Sequence, residues 1–417
     1  MIQAPKGTKD LLPQQSGAWQ VVEMAMRRAA ALAGFREIRT PVFEHTELFQ
    51  RGVGDSTDIV QKEMYTFTDK GQRSVTLKPE GTAGVVRAVI ENKLYADPLP
   101  IKVYYLNAPI FRYENPQSGR LREHHQFGME CFGAKEPSAD AELITVLLGI
   151  LTGLGLRNLT VHINSIGCPE CRPAYHAKLK SYLAGHYDDL CLTCKGRFER
   201  NPLRVLDCKE ANCKKIAEGA PVMLDNLCEE CAGHFAGLRT FLIAQGTPFS
   251  VDTHIVRGLD YYTKTVFEII MQSEREGLAL CGGGRYDGLA EQLDGPSLPG
   301  VGFGIGTERI MMELVSQGIH LPQESVCDVF VANLSTDDKP QAFRIVSDLR
   351  GNNIKADMDH IGRSLKAQFK FADKIGARHI VMVGGEEALR GSARVRNMET
   401  RDESEIPLND IAAYFTN

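Results

Sequence analysis

Arg112, Glu114, Gln126 and Glu130 have the types and spacing of a polar binding face. The run Phe111–Glu114 enters Asn-Pro-Gln-Ser-Gly, a turn composition, and a return strand is expected over Gln126–Phe132. With a period of two, Phe127, Met129 and Cys131 share one face of that strand. Gln126, Gly128 and Glu130 share the other. A solvated surface is the plain alternative. The mixture of Arg, Gln and Glu around a Gly instead suits a polar ligand that carries both signs of charge.

Three glycine-rich segments follow residue 250. Arg257-Gly-Leu-Asp-Tyr261-Tyr262 precedes an expected strand, Thr265–Met271. Cys281-Gly-Gly-Gly-Arg285-Tyr286-Asp287-Gly288 offers a backbone surface that a flat ring can approach. Gly302-Phe-Gly-Ile-Gly306-Thr-Glu-Arg309 reads as a strand entering a helix, where Arg309 adds to the positive helix end and suits a phosphate. No Gly-Lys-Ser/Thr follows, so this is not a P-loop. The βαβ context of a dinucleotide fingerprint is also missing.

Cysteines form a third pattern. Eight of the eleven lie between Cys168 and Cys231. Cys168-x2-Cys171-x19-Cys191-x2-Cys194 has a four-thiolate zinc spacing, and Cys208-x4-Cys213-x14-Cys228-x2-Cys231 offers a second. A structural Zn²⁺ is the sharper expectation and eight reduced thiols the plainer one. Four thiolates would close the site to catalysis, and the compact cysteine run of a ferredoxin is absent. His162, His234 and His254 are alternative ligands.

The elements that carry these groups can be read coarsely. A helix is expected over Ser16–Ala33, with Trp19, Val22, Met26, Ala29 and Ala33 on one face, capped by Ser16 and ended by Gly34. A strand Phe35–Thr40 stops at Pro41, so its end lies at a sheet edge or pairs unusually. Ile101, Val103 and Tyr105 alternate ahead of the hairpin. Strands over Asp328–Ala332, Asn353–Ala356, His379–Val383 and Ala393–Asn397 alternate with helices, which implies a mixed or parallel sheet flanked by helices. Arg363, Lys366, Lys370 and Lys374 fall on one helical face, opposite Leu365 and Phe369. That face is either a solvated surface or a site for backbone phosphates.

The 417 residues allow two to four domains. Three blocks are expected: a catalytic domain of residues 1–165 and 250–325, a Cys-rich insertion of 166–249, and an α/β unit of 328–417. With 43% apolar and 24% charged residues the composition is that of a soluble globular chain. No apolar run reaches a membrane span, and the first residues lack the apolar core of a signal peptide. A cytoplasmic location is expected. The net charge of −5 means that any nucleic-acid site must be a local patch.

Seven segments, in order, resemble the class II aminoacyl-tRNA synthetases and the histidyl-tRNA synthetases among them. Residues 7–13 (GTKDLLP) are similar to that family's N-terminal signature. The helix and strand ending at Pro41 resemble motif 1, the dimer interface. Residues 111–133 (FRYENPQSGRLREHHQFGMECFG) resemble motif 2, and 300–312 (GVGFGIGTERIMM) motif 3. KPEGT (78–82), VRGLDYYTKTVFEI (256–269) and ALCGGGRYDGL (279–289) are similar to segments that mark the histidine enzymes.

The resemblance implies an α+β fold. It consists of an antiparallel-sheet catalytic domain with helices, a small insertion, and a C-terminal α/β anticodon-binding-like domain. It implies that the carboxylate of L-histidine attacks the α-phosphorus of ATP, held with Mg²⁺, to give histidyl-adenylate and pyrophosphate. The terminal ribose of tRNA(His) then attacks the adenylate carbonyl. Charge builds on the α-phosphoryl oxygens, so positioned cations matter more than a strong base.

By the same resemblance, Arg112 and Arg257 are catalytic, and Arg112, Glu114 and Arg309 bind ATP. Glu80, Gly81, Thr82, Gln126, Glu130, Tyr261 and Tyr262 bind histidine, with Glu130 and Tyr262 on the imidazole. Gln117, Arg120 and Arg122 meet the tRNA acceptor end. A homodimer is implied, and no membrane or DNA partner. Two other readings predict different behaviour. A histidine-sensing regulatory subunit of ATP phosphoribosyltransferase shares the catalytic fold, but such regulators usually lose the arginines and the C-terminal domain. A zinc-dependent RNA-binding protein would hold RNA without turning over ATP.

Overall fold

Alternating side chains along four central strands separate an apolar face from a polar one. The computed structural model describes residues 1–416 apart from 56, 115–120, 209, 272–277 and 322–325. Its chain divides into two units, Met1–Leu321 and Pro322–Asn417.

In the first unit the strands are β1 (Arg36–Glu37), β2 (Phe43–His45), β3 (Tyr65–Thr68), β4 (Ser74–Leu77), β5 (Ile101–Phe111), β6 (Glu123–Phe132), β7 (Leu159–Ser165), β8 (Phe249–Val251), β9 (Thr263–Met271), β10 (Leu278–Arg285) and β11 (Gly300–Gly306). Eight form one sheet in the order β1-β5-β6-β11-β10-β9-β7-β8, and β2-β4-β3 form a small second sheet. Only the two outer pairs of the large sheet, β1 with β5 and β7 with β8, are parallel. The rest is antiparallel.

The period of two sorts this sheet. Phe127, Met129 and Cys131 of β6 enter one core with Val301, Phe303 and Ile305 of β11, Cys281 of β10, and Phe267 and Ile269 of β9. Helices Pro13–Leu32, Pro137–Gly153, Glu229–Ala244 and Thr307–Ser316 close that core with Val22, Leu143, Leu238 and Ile310. The intervening residues lie on the opposite face. Registers align Gly128 with Gly304, Gly304 with Gly282, and Gly282 with Glu268, so a trough of glycines crosses the middle of the sheet.

The first helix begins earlier than expected. Pro13 occupies its first turn, where a missing N–H costs nothing. Ser16 is therefore inside the helix and donates to the Pro13 carbonyl at 3.0 Å rather than capping the start. Gly34, at φ +78°, ends it as expected. The edge strand after it is only Arg36–Glu37, paired on one side with β5.

The Cys-rich segment leaves β7 and returns through β8, its parallel neighbour. It has a small core of its own, from Cys168 to Cys231, with Tyr175, Leu179, Leu183 and Val205. Its last helix, Glu229–Ala244, contributes Phe235, Leu238 and Leu242 to the large core instead. That helix also brings His234 to Asp140 at 3.3 Å, beside the fully buried Arg285 that pairs with the same carboxylate.

The second unit holds β12 (Val329–Asn333), β13 (Ala356–Met358), β14 (His379–Val383), β15 (Ser392–Asn397) and β16 (Glu403–Pro407), in the order β13-β12-β14-β15-β16. β12 is parallel to β13 and β14, whereas β15 and β16 are antiparallel, so the sheet is mixed. β13 starts where the expected strand ends, and β16 was not anticipated. The basic face is also smaller than expected. Arg363 precedes the helix Leu365–Lys374, and its guanidinium bonds the buried Asp359 at 2.7 Å and stacks 4.0 Å from the Phe371 ring centre. Lys366, Lys370 and Lys374 remain exposed.

Candidate active site

The polar side of the large sheet holds a cavity of about 410 Å³, within the range of small-molecule sites. Arg112, Arg257 and Arg309 all line it, with Glu114, Gln126, Glu268 and Glu308. Each arginine comes from a different element. Arg112 follows β5 and donates from Nε to the Pro79 carbonyl at 2.8 Å. Arg309 lies in the first turn of Thr307–Ser316 and reaches the Ala279 carbonyl at 2.6 Å. Arg257 pairs with Glu268 of β9, and its guanidinium carbon lies 5.8 Å from the Tyr262 ring centre. Burial pulls the Arg257 pKa down, but Tyr262 and Glu268 outweigh it and leave the guanidinium more firmly charged than usual. Its buried Nε has no hydrogen-bond partner among the described residues.

The glycine trough makes room for these side chains. A Cβ at Gly282 would strike the Arg257 guanidinium, one at Gly302 the Glu130 carboxylate, and one at Gly304 the Gln126 amide. Gly282 and Gly304 also line the cavity, so they make room for Arg257 and Gln126 while keeping side-chain-poor backbone in its wall.

The expected histidine-binding residues come together as a buried cluster. Gln126 alone of them lines the cavity. Tyr105 donates to its Oε1 at 3.2 Å and connects it to the group beneath. Glu130 is fully buried and accepts from Thr82 Oγ1 at 2.9 Å and from Tyr286 Oη at 2.5 Å. Glu80 accepts the Thr82 and Ala83 backbone N–H groups at 2.8 and 2.7 Å, so it satisfies the start of the helix Thr82–Glu91. Tyr261 reaches Glu80 at 3.4 Å and lies 4.7 Å from Tyr262, ring centre to ring centre. Gly81 precedes the helix under the Tyr105 ring, which a Cβ there would strike.

Burial dominates the protonation of this cluster. It pushes the Glu130 carboxyl up to about 8; the Tyr286 and Thr82 hydrogen bonds oppose it and the neighbouring Glu80 adds to it. Glu80 is raised too, chiefly by burial. Beside Arg112 the imidazole of His124 is held down near 4, first by burial and then by the arginine's charge. His125 is raised by its 2.9 Å bond to Glu308.

Gln117 and Arg120 lie outside the described residues. Arg122 stacks 4.1 Å from the Tyr113 ring centre and donates to the Glu114 carbonyl at 3.2 Å. His162 and His254 face Asp252, and His234 faces Asp140; none joins a cysteine cluster. The cysteines do gather in fours, but not consecutively. Cys168, Cys171, Cys228 and Cys231 form one set and Cys191, Cys194, Cys208 and Cys213 the other. Sequence reasoning missed Tyr105, Tyr286 and Arg204 as site residues. For Tyr105 and Tyr286 the signal was available, because each shares a strand or loop with a residue already singled out. For Arg204, in the cavity wall, there was none.

The histidyl-tRNA synthetase family model matches residues 7–169 and 209–310, and an anticodon binding domain matches 328–417. A histidine–tRNA ligase of Clostridium botulinum (Loch Maree) is 51% identical over 98% of both chains. That of Caldanaerobacter subterraneus is 52% identical over the full length of both. The crystal structure of apo S. aureus histidyl-tRNA synthetase superposes with a TM-score of 0.86 at 38% identity, covering both chains completely. A Bacillus halodurans structure described as an ATP phosphoribosyltransferase regulatory subunit/histidyl-tRNA synthetase shares the fold at 21% identity, with a TM-score of 0.65 over 92% of this chain. The chain belongs to the histidyl-tRNA synthetase family.

Proposed function

We propose that three arginines and one buried carboxylate divide the work of a histidine–tRNA ligase. The chain is a class II aminoacyl-tRNA synthetase that joins L-histidine to tRNA(His). The observation that carries the division of labour is the convergence of Arg112, Arg257 and Arg309 on one cavity, with the Glu130 cluster beside it. The reaction runs through histidyl-adenylate. Arg112 meets the α-phosphate, Arg309 the γ-phosphate, and Arg257 the charge that builds as the histidine carboxylate attacks. Glu114 and Glu308 offer hard oxygens on the same walls, which suits ATP arriving with Mg²⁺.

Imidazole presents two polar nitrogens, and a buried carboxyl beside a phenol can require both. Glu130 and Tyr262 take that role, while Glu80, Thr82 and Gln126 receive the α-amino group and Gly81 and Tyr261 shape its surroundings. Arg122, with Gln117 and Arg120, meets the acceptor end of the tRNA. Residues 328–417 receive the anticodon, where the exposed Lys366, Lys370 and Lys374 supply phosphate contacts. The domain division is 1–165 with 250–325, 166–249, and 328–417. A homodimer forms on the face that includes Met24, Leu32, Val42 and Phe43, which are exposed here. The enzyme works in the cytoplasm; no helix among the described residues is long and apolar enough to cross a membrane.

Charging assays test this reading. With ATP, Mg²⁺ and bulk tRNA, labelled histidine is expected to become acid-precipitable and ribonuclease-sensitive. RNA binding without any histidyl-tRNA would contradict it and favour a non-enzymatic RNA-binding protein.

A further inference from the structure

The two cysteine sets are nested. Cys168 and Cys171 follow the end of β7, and Cys228 and Cys231 begin the helix Glu229–Ala244, so this outer set clamps the neck of the insertion. The inner set is Cys191, Cys194, Cys208 and Cys213. Within each set the four sulfurs lie within 4.8 Å of one another. Individual separations are 3.6 Å for Cys168–Cys171, 3.8 Å for Cys168–Cys228, 3.9 Å for Cys171–Cys231 and 3.8 Å for Cys191–Cys208. One tetrahedral ion with Zn–S bonds of about 2.3 Å sets its sulfurs about 3.8 Å apart. A disulfide needs about 2.05 Å. A cluster of several irons would hold its cysteines farther apart than one ion does. Backbone N–H groups also point at sulfur, from Cys168 to Cys171 at 3.1 Å, Cys191 to Cys213 at 3.4 Å and Cys194 to Cys191 at 3.4 Å. Such donors stabilise thiolate charge.

The inner set brackets a loop that touches the catalytic wall. Between Cys194 and Cys208 stand Arg197, Asn201 and Arg204. Arg204 donates to the Arg257 carbonyl at 2.8 Å, and Asn201 to Asp260 at 3.2 Å. Arg197 holds the Arg204 carbonyl at 3.0 Å and faces Asp58 at 3.5 Å. Both Arg204 and Asp58 line the cavity.

We propose that the insertion carries two nested tetrathiolate Zn²⁺ centres, and that the inner one is a clip that holds Arg204 and Asn201 against the Arg257–Asp260 loop. The ion closes both ends of the bracketed segment, which removes the freedom that would otherwise let its tip leave the wall. The role is positional, because four thiolates leave no open coordination position. The clip, though not the metal itself, rests on the assignment of the cavity as the catalytic site.

The test measures metal content and backbone protection, neither of which depends on catalysis. Full-length protein grown with zinc is expected to hold two zinc ions per chain by elemental analysis. No zinc, or iron in its place, would overturn the proposal without touching the ligase assignment. Two paired variants then decide the grouping. Cys191→Ser/Cys213→Ser is expected to keep one zinc, and Cys168→Ser/Cys191→Ser none. Consecutive pairing gives the reverse. Where a variant fails to fold, mercurial titration of the wild type still tests for two separate centres, with zinc leaving in two steps of four thiols each. A single eight-thiol step would count against two separate centres. Finally, loss of the inner zinc is expected to speed amide exchange across residues 257–260 on the order of tenfold. Unchanged exchange there after the inner zinc is lost would overturn the clip.

Discussion

Replacing Arg257 with glutamine is expected to slow histidine-dependent ATP–pyrophosphate exchange about 10²- to 10³-fold, with a much smaller change in either KM. Arg257 is held between Glu268 and Tyr262 over the gap left by Gly282, so its geometry is set before substrate arrives. Its Nε is buried with no acceptor among the described residues. A charged guanidinium fixed in the cavity wall interacts most strongly when negative charge develops nearby, which is the condition for raising kcat rather than tightening ground-state binding. Lysine keeps the charge but loses the planar fork, so Arg257→Lys is expected to recover only part of the rate. Glu268 is still one-fifth exposed, which limits the cost of leaving it unpaired. A loss below threefold, or one carried wholly in the KM for histidine, would remove Arg257 from the chemical step.

Truncating Glu130 is expected to raise the KM for histidine more than it lowers kcat. A hydrogen bond between neutral groups contributes about 0.5–1.5 kcal/mol, which corresponds to about 2- to 13-fold for Glu130→Ala. The same carboxyl predicts a pH signature. Burial raises it from an ordinary 4.5 to about 8, so folding favours its protonated form. The stability it contributes is therefore complete below pH 4.5 and is lost as pH rises through about 8. Glu130→Gln is neutral throughout, so its Tm is expected to fall less than that of the wild type between pH 5 and 8.5. Parallel Tm profiles would show that Glu130 is already ionised at neutral pH. An unchanged KM in Glu130→Ala would move the imidazole elsewhere.

Strand alternation made much of this site legible. Phe127, Met129 and Cys131 could be separated from Gln126 and Glu130 by period alone, and the fold keeps them on opposite faces of the sheet. The three arginines could be named because short motifs carry them, and they meet in one cavity although 197 positions separate Arg112 from Arg309. The glycines were harder. Composition indicates a side-chain-poor surface, but not that Gly282, Gly302 and Gly304 accommodate the protein's own Arg257, Glu130 and Gln126.

The cysteines mark the limit of spacing arguments. Each pair was visible, but their grouping depends on tertiary structure, which sets the start of the helix Glu229–Ala244 beside the chain that follows β7. Arg363 shows a similar limit. It has the helical spacing of a basic face, yet the buried Asp359 four residues earlier captures it. β16, Glu-Ser-Glu-Ile-Pro, has little apolar content and pairs only through β15 at a sheet edge, where tertiary pairing overrides weak local preference.

The decisive measurement is ATP–pyrophosphate exchange with each of the twenty amino acids, in Mg²⁺ and without tRNA. Exchange with histidine alone is expected. Exchange with a different amino acid would contradict the Glu130 pocket. No exchange at all, from folded protein that still binds histidine, would contradict the enzyme and leave a histidine-sensing regulatory subunit in its place.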